Sequence, residues 1–180
     1  MRSMGQQEIK QAIDGAVDYL TKNPDEAKYT DSPATARLTD PNGLKAEVEG
    51  PDGATMATDM PTSVGGTNTT ASPGWYLRAA EASCVATMIA MRAAQLKVVL
   101  ESVEVTVDSE SNDWGILGIG DDVGEGVPAG PMSTRVAARV RGSASDAALS
   151  EIVNWAVDHC PVTDAVRRAI PMTVEVDTGS

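Results

Sequence analysis

Ser72-Pro73-Gly74-Trp75-Tyr76-Leu77-Arg78-Ala79-Ala80-Glu81-Ala82-Ser83-Cys84-Val85, running on to Leu96, is the stretch on which the reading of this 180-residue chain turns. Ser72 is a natural N-cap, and Pro73 stands at the first helical position, where a missing N–H costs nothing. From there to about Lys97 almost every position is apolar: Trp75, Leu77, Ala79, Ala80, Ala82, Val85, Met88, Ile89, Met91, Ala93 and Leu96 among them. At about 1.5 Å per residue such a helix is some 37 Å long. A helix that is apolar all round is buried all round, so a sheet and other helices, or a second subunit, are expected to wrap it.

Downstream, Val98–Asp108 alternates as a strand through Val99, Val103, Val105 and Val107. A Gly-rich acidic connection over 109–130 follows. Pro131–Gly142 reads as a second strand, with Val136, Ala138 and Val140 alternating against Arg135, Arg139 and Arg141. Ser145 then caps a helix whose Leu149, Ile152, Val153, Ala156, Val157 and Cys160 form one stripe, and Pro161 marks its end. A helical turn over 162–169 and a final strand over 172–177 complete the chain. Upstream, Ile9, Ala12, Ile13, Ala16, Val17 and Leu20 lie on one helical face between Glu8 and Asn23, predicting a helix packed on the body. Residues 34–60 read as a strand meander punctuated by Pro41-Asn42-Gly43 and Pro51-Asp52-Gly53, and Gly65–Ala71 as a loop. Strands and helices are segregated, so the class is α+β, with an N-terminal helical extension (1–30) before one α+β domain (31–180).

Composition removes several classes of function. Fourteen Lys+Arg against 26 Asp+Glu give a net charge of −12, which argues against nucleic acid because no basic cluster exists to release counterions. No uninterrupted apolar run reaches the roughly 18 residues of a membrane span. The start, MRSMGQQEIK, lacks the apolar core of a secretory signal, so a cytoplasmic protein is expected. Gly118-Ile119-Gly120-Asp121-Asp122-Val123-Gly124 is one residue too long for a dinucleotide fingerprint. Asp108, Glu110 and Asn112 mimic the start of a calcium loop, but Asp113 and Ile119 occupy the positions of its turn Gly and bidentate Glu. With one His and two Cys, a closed zinc site would need a carboxylate as fourth ligand. No metal or bound cofactor is expected.

Cys84 and Cys160, the two cysteines, sit on apolar helical faces. Three readings stand: small buried hydrophobes, a structural disulfide, and a two-thiol redox site whose reactive form is a thiolate. A disulfide would close a loop of 160 − 84 = 76 residues, but a reducing compartment disfavours it. Around Cys84 the helical neighbours Ala80, Glu81, Thr87 and Met88 offer no activating cation, and an unpaired Glu81 would raise its pKa. His159 points about 100° away from Cys160 on a helix and reads as an exposed helix-end residue.

The order of these features resembles the osmotically inducible protein C and organic hydroperoxide resistance family (OsmC/Ohr). The matching pieces are the meander, Gly65-Gly66-Thr67, Ser72-Pro73 opening the long helix with Leu77–Cys84, and Cys160-Pro161-Val162-Thr163-Asp164-Ala165. They cover roughly residues 30–178. The resemblance implies antiparallel meanders packed around two central helices carrying the two Cys, in an intertwined homodimer with thiol sites at the interface. It implies that Cys84 attacks an organic hydroperoxide and becomes a sulfenic acid, that Cys160 resolves it to a disulfide, and that an external dithiol reductant restores both. Family peroxidases carry a Glu directly after the helix-opening Pro, paired with an Arg of the meander. Here Gly74 occupies that position, and Arg37 and Lys45 are the cations of the meander. Arg78 and Glu81, i and i+3, are a candidate replacement pair or an ordinary surface or interface ion pair. The departure from the family pattern supports a rival reading, a non-catalytic dimer holding a small hydrophobic ligand.

Overall fold

The computed structural model describes residues 5–120 and 126–179. In chain order it contains α1 (Gln6–Lys22), β1 (Thr35–Leu38), β2 (Ala46–Glu49), β3 (Thr55–Thr58), α2 (Pro73–Leu96), β4 (Leu100–Glu110), α3 (Asp113–Leu117), β5 (Ser133–Gly142), α4 (Asp146–Asp158) and α5 (Pro161–Arg167). This is mixed helix and antiparallel sheet. β1, β2 and β3 form a three-stranded sheet, and β4 pairs with β5 in a long two-stranded ribbon. The two turn signals of the meander close as read, with Gly43 N–H donating to Asp40 O at 2.9 Å and Ala54 N–H to Pro51 O at 3.0 Å.

α2 begins where its cap chemistry says it should, with Ser72 Oγ accepting from Trp75 N–H at 3.3 Å. It ends at Lys97, whose left-handed backbone (φ 59°) lets its N–H reach Ala93 O and Ala94 O. The core lies where Val85, Ile89 and Ala93 of α2 meet Ile152 and Ala156 of α4, with Cys160 just beyond. Over it the ribbon lays one face, on which Val103 faces Val140, Val105 faces Ala138 and Val107 faces Val136. The other face carries the cross-strand pairs Asp108–Arg135 and Glu104–Arg139, exposed and therefore of small energetic weight.

Four expectations are corrected. First, α2 is not buried all round within one chain: Trp75, Leu77 and Leu96 remain 38–50% exposed, although β4, α1, α4 and α5 all pack on it. Second, α1 packs on α2 as expected, but not along its whole apolar stripe. Ile9 and Ile13 are half-buried, and the Gln6 carboxamide donates to Val98 O and Ala93 O, but Val17 and Leu20 are 56% and 40% exposed. Third, residues 172–177 form no strand; Met172, Val174 and Val176 are 84%, 72% and 80% exposed. Alternation makes a strand only where a ladder partner satisfies its N–H and C=O groups. Fourth, the acidic connection contains the short helix α3, with Asn112 Oδ1 accepting from Trp114 N–H at 3.0 Å. Asp121 to Glu125 of that connection lie outside the described residues.

The accessible surface of the chain is 13360 Å². A self-contained folded monomer of 18.7 kDa exposes about 8300 Å². The surplus follows from the meander, whose strands pack chiefly on one another, and from the bare faces of α1, α2 and the C-terminal segment.

Candidate functional site

Cys84 lies in the middle of α2, on the flank of the buried stripe that Glu81, Val85 and Ile89 form, and is half-buried against the core. Cys160 is reached differently from the sequence reading. α4 stops at Asp158, His159 leaves helical geometry, and Cys160 is extended backbone (φ −76°, ψ 117°) that caps α5 rather than ending α4. Its Sγ accepts from Thr163 N–H at 3.4 Å, and its side chain is fully buried. Pro161 follows at the first helical position, which explains the break: α4 cannot run through it. The fold thus brings two free thiols 76 residues apart into one core cluster, where each acts on the titration of the other.

Their surroundings treat them unequally. Burial pushes the Cys84 thiol up, and its hydrogen bond with Cys160 and the charge of that neighbour push it further in the same direction. At Cys160 burial is the largest single influence and also acts upward, but it is outweighed by hydrogen bonds from the Thr163 hydroxyl and N–H, from Cys84 and from Val162 N–H. The Cys160 thiol therefore ends below the ordinary value. The buried thiol is the more acidic and the half-exposed thiol the less.

Glu81 is 1% exposed. Arg78, the partner that sequence spacing offered, turns instead to Ser109, with Nη1 donating to Oγ at 3.2 Å. The Glu81 carboxylate accepts from Thr163 Oγ1 at 3.2 Å, so the replacement ion pair does not form. Glu81 and Thr163 line a cavity of about 560 Å³ with Thr134, Val136, Asp158 and Arg167. Arg167 at its mouth is already paired with Asp158 at 3.1 Å. Of the two meander cations, Arg37 is bonded across its sheet to Glu49 at 2.9 Å, and Lys45 is half-buried. At Gly74 a Cβ would meet only Arg78 Nη1 and Ser72 Oγ, both at 3.9 Å. His159 is exposed and stacks on Trp155, ring centroids 4.1 Å apart, with Arg92 on the indole at 4.5 Å.

Sequence reasoning missed Asp59. It follows β3, is 1% exposed, and gathers the loop leading to α2. Its two oxygens accept from Met60 N–H (2.8 Å), Thr67 N–H (3.2 Å), Thr67 Oγ1 (2.6 Å), Thr69 N–H (2.9 Å) and Thr69 Oγ1 (3.0 Å). The Thr67 hydroxyl leads the donors that hold this carboxyl well below the usual carboxylate range. The entry to α2 is thereby pinned. Among the described residues there is no group of three or more His, Cys, Asp or Glu that could hold a metal ion, and no helix long and apolar enough to cross a membrane.

Among solved structures, the chain is similar to an organic hydroperoxide resistance protein OsmC from Legionella pneumophila, at 24% identity over 77% of this chain and 90% of that one, with a TM-score of 0.55. An OsmC-like protein from Mycoplasma pneumoniae is 13% identical over 78% and 89%, with a TM-score of 0.62. A Vibrio cholerae O1 biovar eltor protein assigned to organic hydroperoxide resistance, with captopril bound in one of its active sites, is 25% identical over 78% and 86%, with a TM-score of 0.54. No curated protein gives a significant match. Residues 66–175, from the loop on Asp59 through both thiols, match the family described as OsmC-like protein. With the dithiol at the junction of α2, α4 and α5 inside that match, the chain belongs to the OsmC-like protein family.

Proposed function

We propose that this protein is a thiol-dependent hydroperoxide reductase working through Cys84 and Cys160. The observation that carries the reading is the meeting of two free thiols from distant parts of the chain, one half-exposed and one fully buried. The Cys84 thiolate attacks the terminal peroxide oxygen; the O–O bond breaks, Cys84 becomes a sulfenic acid, and the alkoxide takes a proton and leaves as an alcohol. Cys160 then displaces the sulfenic oxygen as water and forms the Cys84–Cys160 disulfide. An external dithiol supplies two electrons and two protons to restore both thiols. No bound cofactor enters the cycle.

Exposure supports this division of labour, since an entering peroxide meets Cys84 before Cys160. The organic hydroperoxide resistance proteins among the similar structures support the substrate class. The surplus of exposed surface supports a homodimer; in this reading residues 31–180 are the working domain, 1–30 an extension, and the cytoplasm the compartment. The upward push on the Cys84 thiol favours one rival, a dimer that holds a hydrophobic ligand and leaves its thiols passive.

The two readings separate in one experiment: intact mass and thiol count of the reduced protein before and after one equivalent of cumene hydroperoxide. The reductase loses both thiols as an intramolecular disulfide. Cys84→Ser abolishes the loss, and Cys160→Ser diverts it to a sulfenic acid. Two thiols that survive the peroxide would refute the reductase and leave the ligand-binding dimer.

A further inference from the structure

Thr163 stands between the buried carboxylate of Glu81 and the buried thiol of Cys160. Its hydroxyl lies 3.2 Å from Glu81 Oε1, its own N–H lies 3.4 Å from Cys160 Sγ, and the same hydroxyl is among the groups that pull the Cys160 thiol down. All three side chains are at least nine-tenths buried, at 1%, 3% and 0% exposure. A hydroxyl carries one hydrogen, which it donates to one acceptor, while its oxygen accepts from another donor. Two arrangements of the same atoms are therefore available. In one, the Cys160 thiol donates to Thr163 Oγ1 and Thr163 donates to the Glu81 carboxylate. In the other, Thr163 donates to a Cys160 thiolate and Glu81 carries the proton.

We propose that Glu81, acting through the Thr163 hydroxyl, is the proton acceptor for Cys160 in the step that forms the disulfide. This rests on the reading of Cys84 as the peroxide-reactive thiol and Cys160 as its resolver. As Cys160 sulfur attacks the Cys84 sulfenic sulfur, the S–S bond forms and the S–O bond breaks. The Cys160 proton moves to Thr163 Oγ1, and the Thr163 proton moves to Glu81. The departing hydroxide takes a proton from Glu81 and leaves as water, returning Glu81 to carboxylate. Cys84–SOH and Cys160–SH thus become the disulfide and one water, with no outside acid or base. Glu81 stands three residues before Cys84 on α2, so its carboxyl and the sulfenic oxygen share one helical face. The other charged groups facing it are Asp158 of α4 and Arg167 of α5, which neutralise each other in an ion pair. β5 contributes Thr134 and Val136, neither of them charged.

The test separates the two chemical steps and reads the thiol directly. Sulfenic acid formation is followed in Cys160→Ser protein, disulfide formation in protein with both thiols, each across pH and each with and without Glu81→Gln. Loss of a proton acceptor slows disulfide formation on the order of a hundredfold, far more than it slows sulfenic acid formation, and flattens its pH profile. In Cys84→Ser protein, ultraviolet absorbance of the thiolate reports the titration of Cys160 without any peroxide. There Thr163→Val raises the midpoint, because the hydroxyl donor is gone. Glu81→Gln lowers it, because the amide donates to Thr163 and frees the hydroxyl for sulfur. Thr163→Ser restores both wild-type behaviours. Midpoints that move in the same direction for Glu81→Gln and Thr163→Val, or disulfide formation that Glu81→Gln slows no more than the first step, would overturn the relay. Opposed midpoints in a protein whose Cys84 never forms a sulfenic acid would keep the Glu81–Thr163–Cys160 coupling, refute its role in disulfide formation, and place the failure in the peroxidase reading.

Discussion

Oxidation of Cys84 and Cys160 to a disulfide should stabilise the protein by roughly 3.5 kcal/mol, a figure that follows from the chain and the site. The bridge closes a loop of 160 − 84 = 76 residues, which on the chain-entropy relation removes about 4.5 kcal/mol of freedom from the unfolded chain. Against this stands the hydrogen bond from Thr163 N–H to the Cys160 sulfur, worth about 1 kcal/mol if wholly lost when that sulfur is bridged. With a urea dependence of about 2 kcal/mol per molar, the oxidised protein should unfold at a urea concentration roughly 1.7 M higher than the reduced protein. Urea melts of both forms, followed by Trp fluorescence at constant protein concentration, measure the difference directly. Cys160→Ser should erase the dependence on redox state. Equal midpoints, or an earlier one for the oxidised form, would refute the reasoning: the thiols would then bridge only by distorting the helices that carry them.

Two further outcomes concern the approach to α2. Because Asp59 is held below the carboxylate range, its contribution is complete above the unfolded value of about 3.9 and drains away only as pH falls through the lower folded value. Asp59→Asn should therefore unfold earlier than the parent at neutral pH, with the gap narrowing only in strong acid; a gap independent of pH would show that charge is not what the loop uses. Gly66 and Gly74 should respond in opposite senses. A Cβ on Gly66 would lie 1.8 Å from Met60 O, so Gly66→Ala should cost at least about 1–3 kcal/mol. Gly74→Ala meets nothing closer than 3.9 Å and should stabilise by a few tenths to about 1 kcal/mol. Chemical denaturation reads both.

What could be read in advance was local chemistry. Ser72, Pro73, Ser145 and Pro161 announce helix ends through their own backbones, and the turns at Asn42-Gly43 and Asp52-Gly53 close within four residues. Both thiols could be singled out because they are the two cysteines of the chain and each lies in an apolar stretch. The rest depended on distance along the chain. Glu81 reads as a helix-surface acid from its neighbours, and it is buried because Thr163, 82 residues away, reaches it. Asp59 resembles any loop carboxylate until Thr67 and Thr69 fold back on it; the nearby Gly66, which lets the backbone pass Met60, was the available clue. Spacing places Cys160 on a helical stripe, whereas Pro161 after it makes it a cap. Val174 and Val176 alternate like a strand, but alternation cannot supply a partner.

The knot on Asp59 and the dithiol also differ in when they can form. The hydrogen bonds of the knot join residues 8 and 10 apart, and loops of that size close in about 10–100 ns. The entry to α2 can therefore be tied almost as soon as the chain emerges. The thiols are 76 residues apart, so at about 5–20 residues per second Cys84 leaves the ribosome roughly 4–15 s ahead of Cys160. Throughout that interval Cys84 is a solitary thiol on an unfinished chain, able to pair with whatever passes. The pair of thiols is among the last things the folding protein acquires.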